Sequence, residues 1–163
     1  MQGAGYCERL SSAFWAEPLN AVSNAAFLLA ALLAFSLLRR HGHRDWPVEA
    51  LTALVAIIGV GSFLFHTMPQ RWTLLADVVP IQLFALCYFG LALSRFIGLS
   101  PLLAALGAGV FLAACFGLAA GLAPLLPAGM RGSAGYAGFL IGLFGVALRS
   151  EERRVGKECR SRW

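Results

Sequence analysis

Before Lys157 the chain contains no lysine, and charge of either sign is scarce: Asp, Glu, Lys and Arg make up 13% of the 163 residues. A soluble domain carries about a quarter of its residues charged, so an ordinary cytosolic domain is excluded. The charge that exists is concentrated at one end, with nine charged residues between Arg149 and Arg162. The preceding 148 residues hold seven Arg against five acids. That leaves no basic face able to neutralise phosphates, and nucleic acid is not an expected partner. The four cysteines (Cys7, Cys87, Cys115, Cys159) are scattered and form no CxxC pair, which excludes a disulfide framework. The first 17 residues carry Glu8, Arg9 and Glu17. They do not read as a cleavable signal peptide, and the first apolar segment is expected to stay in the membrane.

What the chain has in abundance is uninterrupted apolar sequence. Apolar residues make up 59% of it, and the mean hydropathy is +0.73. Charge-free runs extend over 21 residues from Pro18 to Leu38, 21 from Ala50 to Gln70, 17 from Val78 to Ser94, 35 from Phe96 to Met130 and 16 from Ser133 to Leu148. A helix rises about 1.5 Å per residue, so ~20 residues cross a hydrocarbon core about 30 Å thick. The runs therefore predict an all-α, polytopic membrane helix bundle with helices over 19–38, 49–66, 72–94, 100–123 and 133–148. Their apolar residues surround each segment instead of forming a stripe. Trp15, Trp46 and Trp72 stand at span edges, the position of interfacial aromatics. Gly107, Gly109, Gly117 and Gly121 are expected to allow close helix approach in the fourth span.

The short connections orient the spans. Arg39, Arg40 and Arg44 face a single Asp45 after the first span, and Arg95 follows the third. The positive-inside rule then places the N-terminus outside and the Arg39–Arg44 loop inside, in an integral membrane protein of a bacterial inner membrane.

Ionisable groups inside a bilayer cost about 2.5–3.5 kcal/mol each on insertion scales and mark function by default. Glu17, Asn20 and Asn24 follow one another at helical spacing on one face. Ser62 and His66 are four apart near the end of the second span, and Asp77 lies one turn into the third. The start of span one, the end of span two and the start of span three share one membrane face. Glu17, Ser62, His66 and Asp77 can therefore converge there, with Glu8 on the same side. His41 and His43 lie at the opposite face. Asn20 and Asn24 are also suited to a structural role as hydrogen-bonding glue between helices. A histidine near a carboxylate and a hydroxyl in a dry site is what metal-assisted hydrolysis uses, but a zinc hydrolase needs three protein ligands.

Two blocks resemble a known family. Tyr6-Cys7-Glu8 with Phe14-Trp15-Ala16-Glu17-Pro18-Leu19-Asn20-Ala21-Val22-Ser23-Asn24 is similar to the opening of the alkaline ceramidase family, especially its bacterial branch. Gly61-Ser62-Phe63-Leu64-Phe65-His66, followed by Asp77 and Pro80, resembles that family's second and third helices. The resemblance covers residues 6–82 well and 83–148 by hydropathy. It implies a seven-helix membrane hydrolase that cleaves the amide of ceramide to sphingosine and a fatty acid, with zinc held by three histidines. By resemblance His66 is one zinc ligand, Asp77 orients and deprotonates the zinc-bound water, and Ser62 assists the substrate carbonyl. The lipid amide and the surrounding membrane lipids are the implied partners. Glu8 and Glu17 match two acidic calcium ligands of eukaryotic members, whereas Gly5 and Leu10 replace others. Calcium needs six to eight oxygens, and Glu17 has alternative uses as a cap of span one or a partner to a neighbouring helix.

The other two zinc histidines of that family belong to an HxxxH motif, which none of His41, His43 and His66 forms. The expectation is therefore a ceramidase-like transmembrane domain over residues 1–148, five helices of a presumed seven, inactive as written. Residues 149–163 change abruptly in character. Arg149-Ser150-Glu151-Glu152-Arg153-Arg154-Val155-Gly156-Lys157-Glu158-Cys159 reads as a sequencing-library adapter translated in frame, expected to have no fixed fold. The alternative function is a non-enzymatic five-helix membrane protein, such as a receptor-like or transport subunit. Single cysteines introduced at Gly5 and Gly42 in membrane vesicles are expected to label from opposite faces with an impermeant reagent. Labelling of Gly42→Cys from the outside contradicts the orientation.

Overall fold

The computed structural model describes residues 11, 13–42, 44–127 and 134–160. Every regular element among them is helical. Two compact units divide the chain, Met1–Phe84 and Ala85–Trp163.

In the first unit, α1 (Pro18–Ser23) starts with Pro18 in its first turn, where the fixed φ suits helix entry and the missing N–H is no loss. A turn at Asn24 separates it from α2 (Ala25–His41), so the expected first span is two helical pieces joined without a loop. Gly42 ends α2 at φ 69°, the left-handed conformation that glycine adopts without a Cβ penalty. α3 (Trp46–Thr67) again opens on a proline, Pro47. α4 starts at Arg71 after a three-residue connection and carries Pro80 internally.

α3 is the central element of this unit. Both α1 and α2 pack on it, and 39% of its apolar window is buried, against 17% for Pro18–Arg40. Two glycines on α3 explain how closely its neighbours approach. A Cβ on Gly59 would lie 3.0 Å from Phe27 Cβ of α2. A Cβ on Gly61 would overlap the Ala76 backbone carbonyl of α4. The second approach is backbone against backbone, with no flexible atom to yield, so only glycine fits, and Ser62 comes to lie beside Asp77.

The second unit holds the end of α4, which reaches Ala92, then a π-helical turn Leu93–Ile97 closed by Gly98 at φ 80°. α5 (Pro101–Leu122) follows, its N-terminus capped by the Ser100 side chain, which accepts from the Leu103 N–H. A 3₁₀ turn, Ala123–Leu125, ends it. α6 (Ala134–Arg160) packs on α5, where Phe111 stacks on Phe89 at 3.9 Å and meets Phe139 edge-on at 5.8 Å.

The all-α helical bundle is as expected, each of the five apolar segments being helical, and two further expectations are corrected. Among the described residues four helical stretches are long and apolar enough to cross a membrane: Pro18–Arg40, Trp46–Thr67, Arg71–Ile97 and Pro101–Leu125. The fifth, Ala134–Arg149, is a shorter apolar helix, and its 16 residues rise only ~24 Å. The segment beyond Arg149 is not structureless, since α6 continues to Arg160. Glu, Arg and Lys are good helix formers. Finally, Gly109, Gly117 and Gly121 face open space, and only Gly107 of that set approaches a neighbour, Leu93. The close contacts on α5 come instead from α6, where Gly138 meets Cys115 and Gly142 meets Phe111.

Gly61→Val is expected to lower unfolding stability by about 1–3 kcal/mol, the usual cost of overpacking, measured by denaturant unfolding in mild detergent. Gly109→Ala, with nothing within 4 Å of the new Cβ, should leave stability unchanged or raise it. Equal stability of Gly61→Val and the parent would contradict the close α3–α4 approach.

Candidate active site

The first unit brings four of the sequence-selected side chains together at one end of α3. Their burial is the first indication: Glu17 is 2% exposed, His66 8%, Ser62 9% and Asp77 9%. Each is a polar group that loses hydration on folding, and such groups are costly unless partnered.

Glu17 immediately precedes α1, at the position of an N-cap, yet its side chain makes no capping bond. Its carboxylate turns towards α3, where Oε2 lies 2.5 Å from His66 Nδ1. The Asn20 amide donates to the same oxygen at 3.4 Å. Of the two uses the sequence allowed for Glu17, partnering a neighbouring helix is the one adopted. The contact occupies His66 Nδ1 and leaves Nε2 as the ring nitrogen not engaged by Glu17. Trp15 covers this end of α3, with its ring edge-on to Phe63 at 6.4 Å. Phe65 packs against the imidazole at 5.5 Å between centroids.

Asn24 is buried, and its amide donates to the Asn20 carbonyl at 2.9 Å. This bond stays within the first span, bracing the turn between α1 and α2. It is a bond along the chain, where the sequence pointed to glue between helices. The Asn24 carbonyl also lies against Gly59, so the brace sits at the tight α2–α3 contact.

Asp77 enters from α4, beside Ser62 and within electrostatic reach of His66. Its Oδ1 is buried and has no hydrogen-bond partner among the described residues. A buried carboxylate oxygen without a donor among the described residues is an acceptor open to a group outside them. Glu8, the other acid expected at this face, lies outside the described residues, as does His43.

Sequence reasoning missed the groups that hold the α3–α4 connection. Thr73 is fully buried. Its hydroxyl accepts from the Gln70 N–H at 2.8 Å and donates to the Met68 carbonyl at 2.7 Å. Thr67, also buried, donates to the Phe63 carbonyl at 2.9 Å. These bonds satisfy orphan backbone groups where one helix ends and the next begins, and they fix the offset between His66 and Asp77. The available signal was the Pro69-Gln70 break followed by a threonine one turn on, the setting in which hydroxyls bond local backbone. Gln82, whose buried Oε1 has no partner among the described residues, was also passed over; its signal was a polar amide inside the charge-free third span.

As to metals, no group of three or more His, Cys, Asp or Glu side chains assembles among the described residues. Among the described residues the site holds one imidazole backed by a carboxylate, and one carboxylate with an oxygen that has no partner there.

Comparison with known proteins follows the same segment. A family model described as Ceramidase matches residues 4–122, a stretch that includes every residue of this cluster. No curated protein and no solved structure matches the chain.

Proposed function

Because that match spans well over half of the chain, which thus belongs to the ceramidase family, we propose that the chain carries part of the site of a zinc-dependent hydrolase acting on ceramide-like lipid amides. The observation that carries this reading is Asp77 Oδ1, buried beside Ser62 and His66 and without a hydrogen-bond partner among the described residues. Hydrolysis of an amide needs a group to take a proton from water, and a desolvated acceptor next to a hydroxyl and an imidazole supplies it.

The donor chemistry suits zinc. A histidine whose Nδ1 is engaged by a carboxylate is the arrangement in which Nε2 serves as the metal ligand, with the carboxylate fixing the ring and raising its basicity. In this reading His66 is one ligand and Glu17 holds it. Zinc, when bound, polarises the amide carbonyl and acidifies water to a pKa near ~7. One imidazole does not make a three-ligand site, so the remaining ligands come from outside the described residues. An HxxxH pair is what the family resemblance implies.

The chain's own residues then divide the work. Asp77 Oδ1 accepts the proton of the attacking water as its oxygen bonds to the amide carbon. The Ser62 hydroxyl donates a hydrogen bond to the carbonyl oxygen while charge develops there. Asp77 returns the proton to the amide nitrogen as the carbon–nitrogen bond breaks, leaving a fatty acid and a free amine. A calcium ion held by Glu8 and Glu17 would have to share the Glu17 carboxylate with His66.

With one zinc ligand, residues 1–148 alone are expected to bind zinc weakly and to give no chelator-sensitive ceramide hydrolysis. In a protein where an HxxxH helix completes this segment, Asp77→Asn should lower turnover at least ~10²-fold, the usual share of a general base. His66→Ala should abolish zinc retention as well as turnover. Unchanged turnover in either variant, or chelator-sensitive turnover by residues 1–148, would overturn the assignment.

A further inference from the structure

At the opposite end of α3 from His66, a cleft of about 320 Å³ opens where α2 and α3 meet. It is lined by Phe35, Leu38, Arg39, Gly42, Arg44 and Glu49. The bilayer-length stretches end and begin here, at Arg40 and Trp46. The cleft therefore lies at the depth of lipid headgroups, and none of the candidate-site residues lines it.

Both signs of charge are present. The Arg39 guanidinium lies over the Phe35 ring, 4.8 Å from its centroid. Stacking uses the guanidinium face, so its in-plane N–H donors remain suited to an anionic oxygen. Arg44 Nε stands 3.7 Å from Glu49 Oε2, with side chains 88% and 35% exposed. An ion pair this long and this wet contributes little, and a ligand can enter between its members at small cost. Phe35 and Leu38 supply an apolar wall for methylene groups.

We propose that this cleft binds a phosphoethanolamine headgroup, its phosphate on Arg39 and Arg44 and its ammonium on Glu49. Glu49 decides the class. A purely anionic headgroup would set its phosphate against the Glu49 carboxylate, whereas a zwitterion matches both signs at once, as bidentate guanidinium–phosphate pairing and a charge-assisted ammonium–carboxylate bond. A headgroup seated here clamps the end of α2 to the start of α3. The same chemistry occurs in the free phosphoethanolamine molecule, but the depth of the cleft and its apolar wall favour the lipid.

The test uses the purified chain in detergent, titrated with short-chain phosphatidylethanolamine, short-chain phosphatidylglycerol and free phosphoethanolamine. Binding is read by the fluorescence of Trp46, which is exposed beside the cleft, and by the rise in unfolding temperature. Saturable binding of the phosphatidylethanolamine at least ~5-fold tighter than of the phosphatidylglycerol is expected, a difference of about 1 kcal/mol. Arg39→Gln should weaken both lipids, and Glu49→Gln should reverse the preference towards phosphatidylglycerol. Retained helicity by circular dichroism checks that each variant folds. Equal affinity for the two lipids, or a preference unmoved by Glu49→Gln, would overturn the proposal. Free phosphoethanolamine binding as tightly as the lipid would overturn the lipid assignment.

Discussion

The buried bond between Glu17 and His66 is the constraint around which the first unit is arranged. The two residues are 49 positions apart, and the contact is 2.5 Å long. A carboxylate removed from water is tolerated only when paired and hydrogen-bonded. Glu17 meets that condition through His66 and Asn20. The start of α1 must therefore lie against the end of α3, and the turn at Asn24 lets the first span reach that position while α2 keeps its own contact at Gly59.

Once His66 is fixed from one side, the other side of α3 determines what it faces. Gly61 admits the α4 backbone, and Thr73 locks the connection that feeds α4. Together these place the Asp77 carboxylate and the Ser62 hydroxyl at the imidazole's end of the helix. The result is a site with two acids in different states of engagement. Glu17 is committed to holding a ring, while Asp77 Oδ1 has no protein donor among the described residues. In the hydrolase proposed above, Glu17 would be the orienting carboxylate and Asp77 the reacting one.

Much of this was legible in the sequence, for a physical reason. Insertion of a polar group into a bilayer is expensive enough that chance polar residues are rare, so Glu17, Ser62, His66 and Asp77 stood out against an apolar background. Helical spacing and span order put them at one membrane face. What could not be read was which partner each would take. Glu17 could cap or pair, and the choice depends on how close α1 comes to α3, which the glycine contacts and the Asn24 turn decide. Asn24 looked like interhelical glue but bonds within its own span. Thr73 escaped notice because a threonine near a helix start is common, and its burial arises only once two helices meet. The expectation that the residues after Arg149 have no fixed fold failed for the opposite reason. Residues after Arg149 lack an apolar pattern, but helix formation needs only suitable local propensity, and α6 continues through them.

The central claim is that Glu17 and His66 act as one unit tying α1 to α3. A double-mutant cycle on unfolding stability in mild detergent, with Glu17→Ala, His66→Ala and the double variant, tests it most directly. Each single change is expected to destabilise by leaving the other group buried without its partner. The double change should cost less than the sum of the two by more than about 1 kcal/mol, the signature of groups in contact. Additive effects, agreeing within about 0.5 kcal/mol, would show that the two side chains do not depend on one another and would contradict the account.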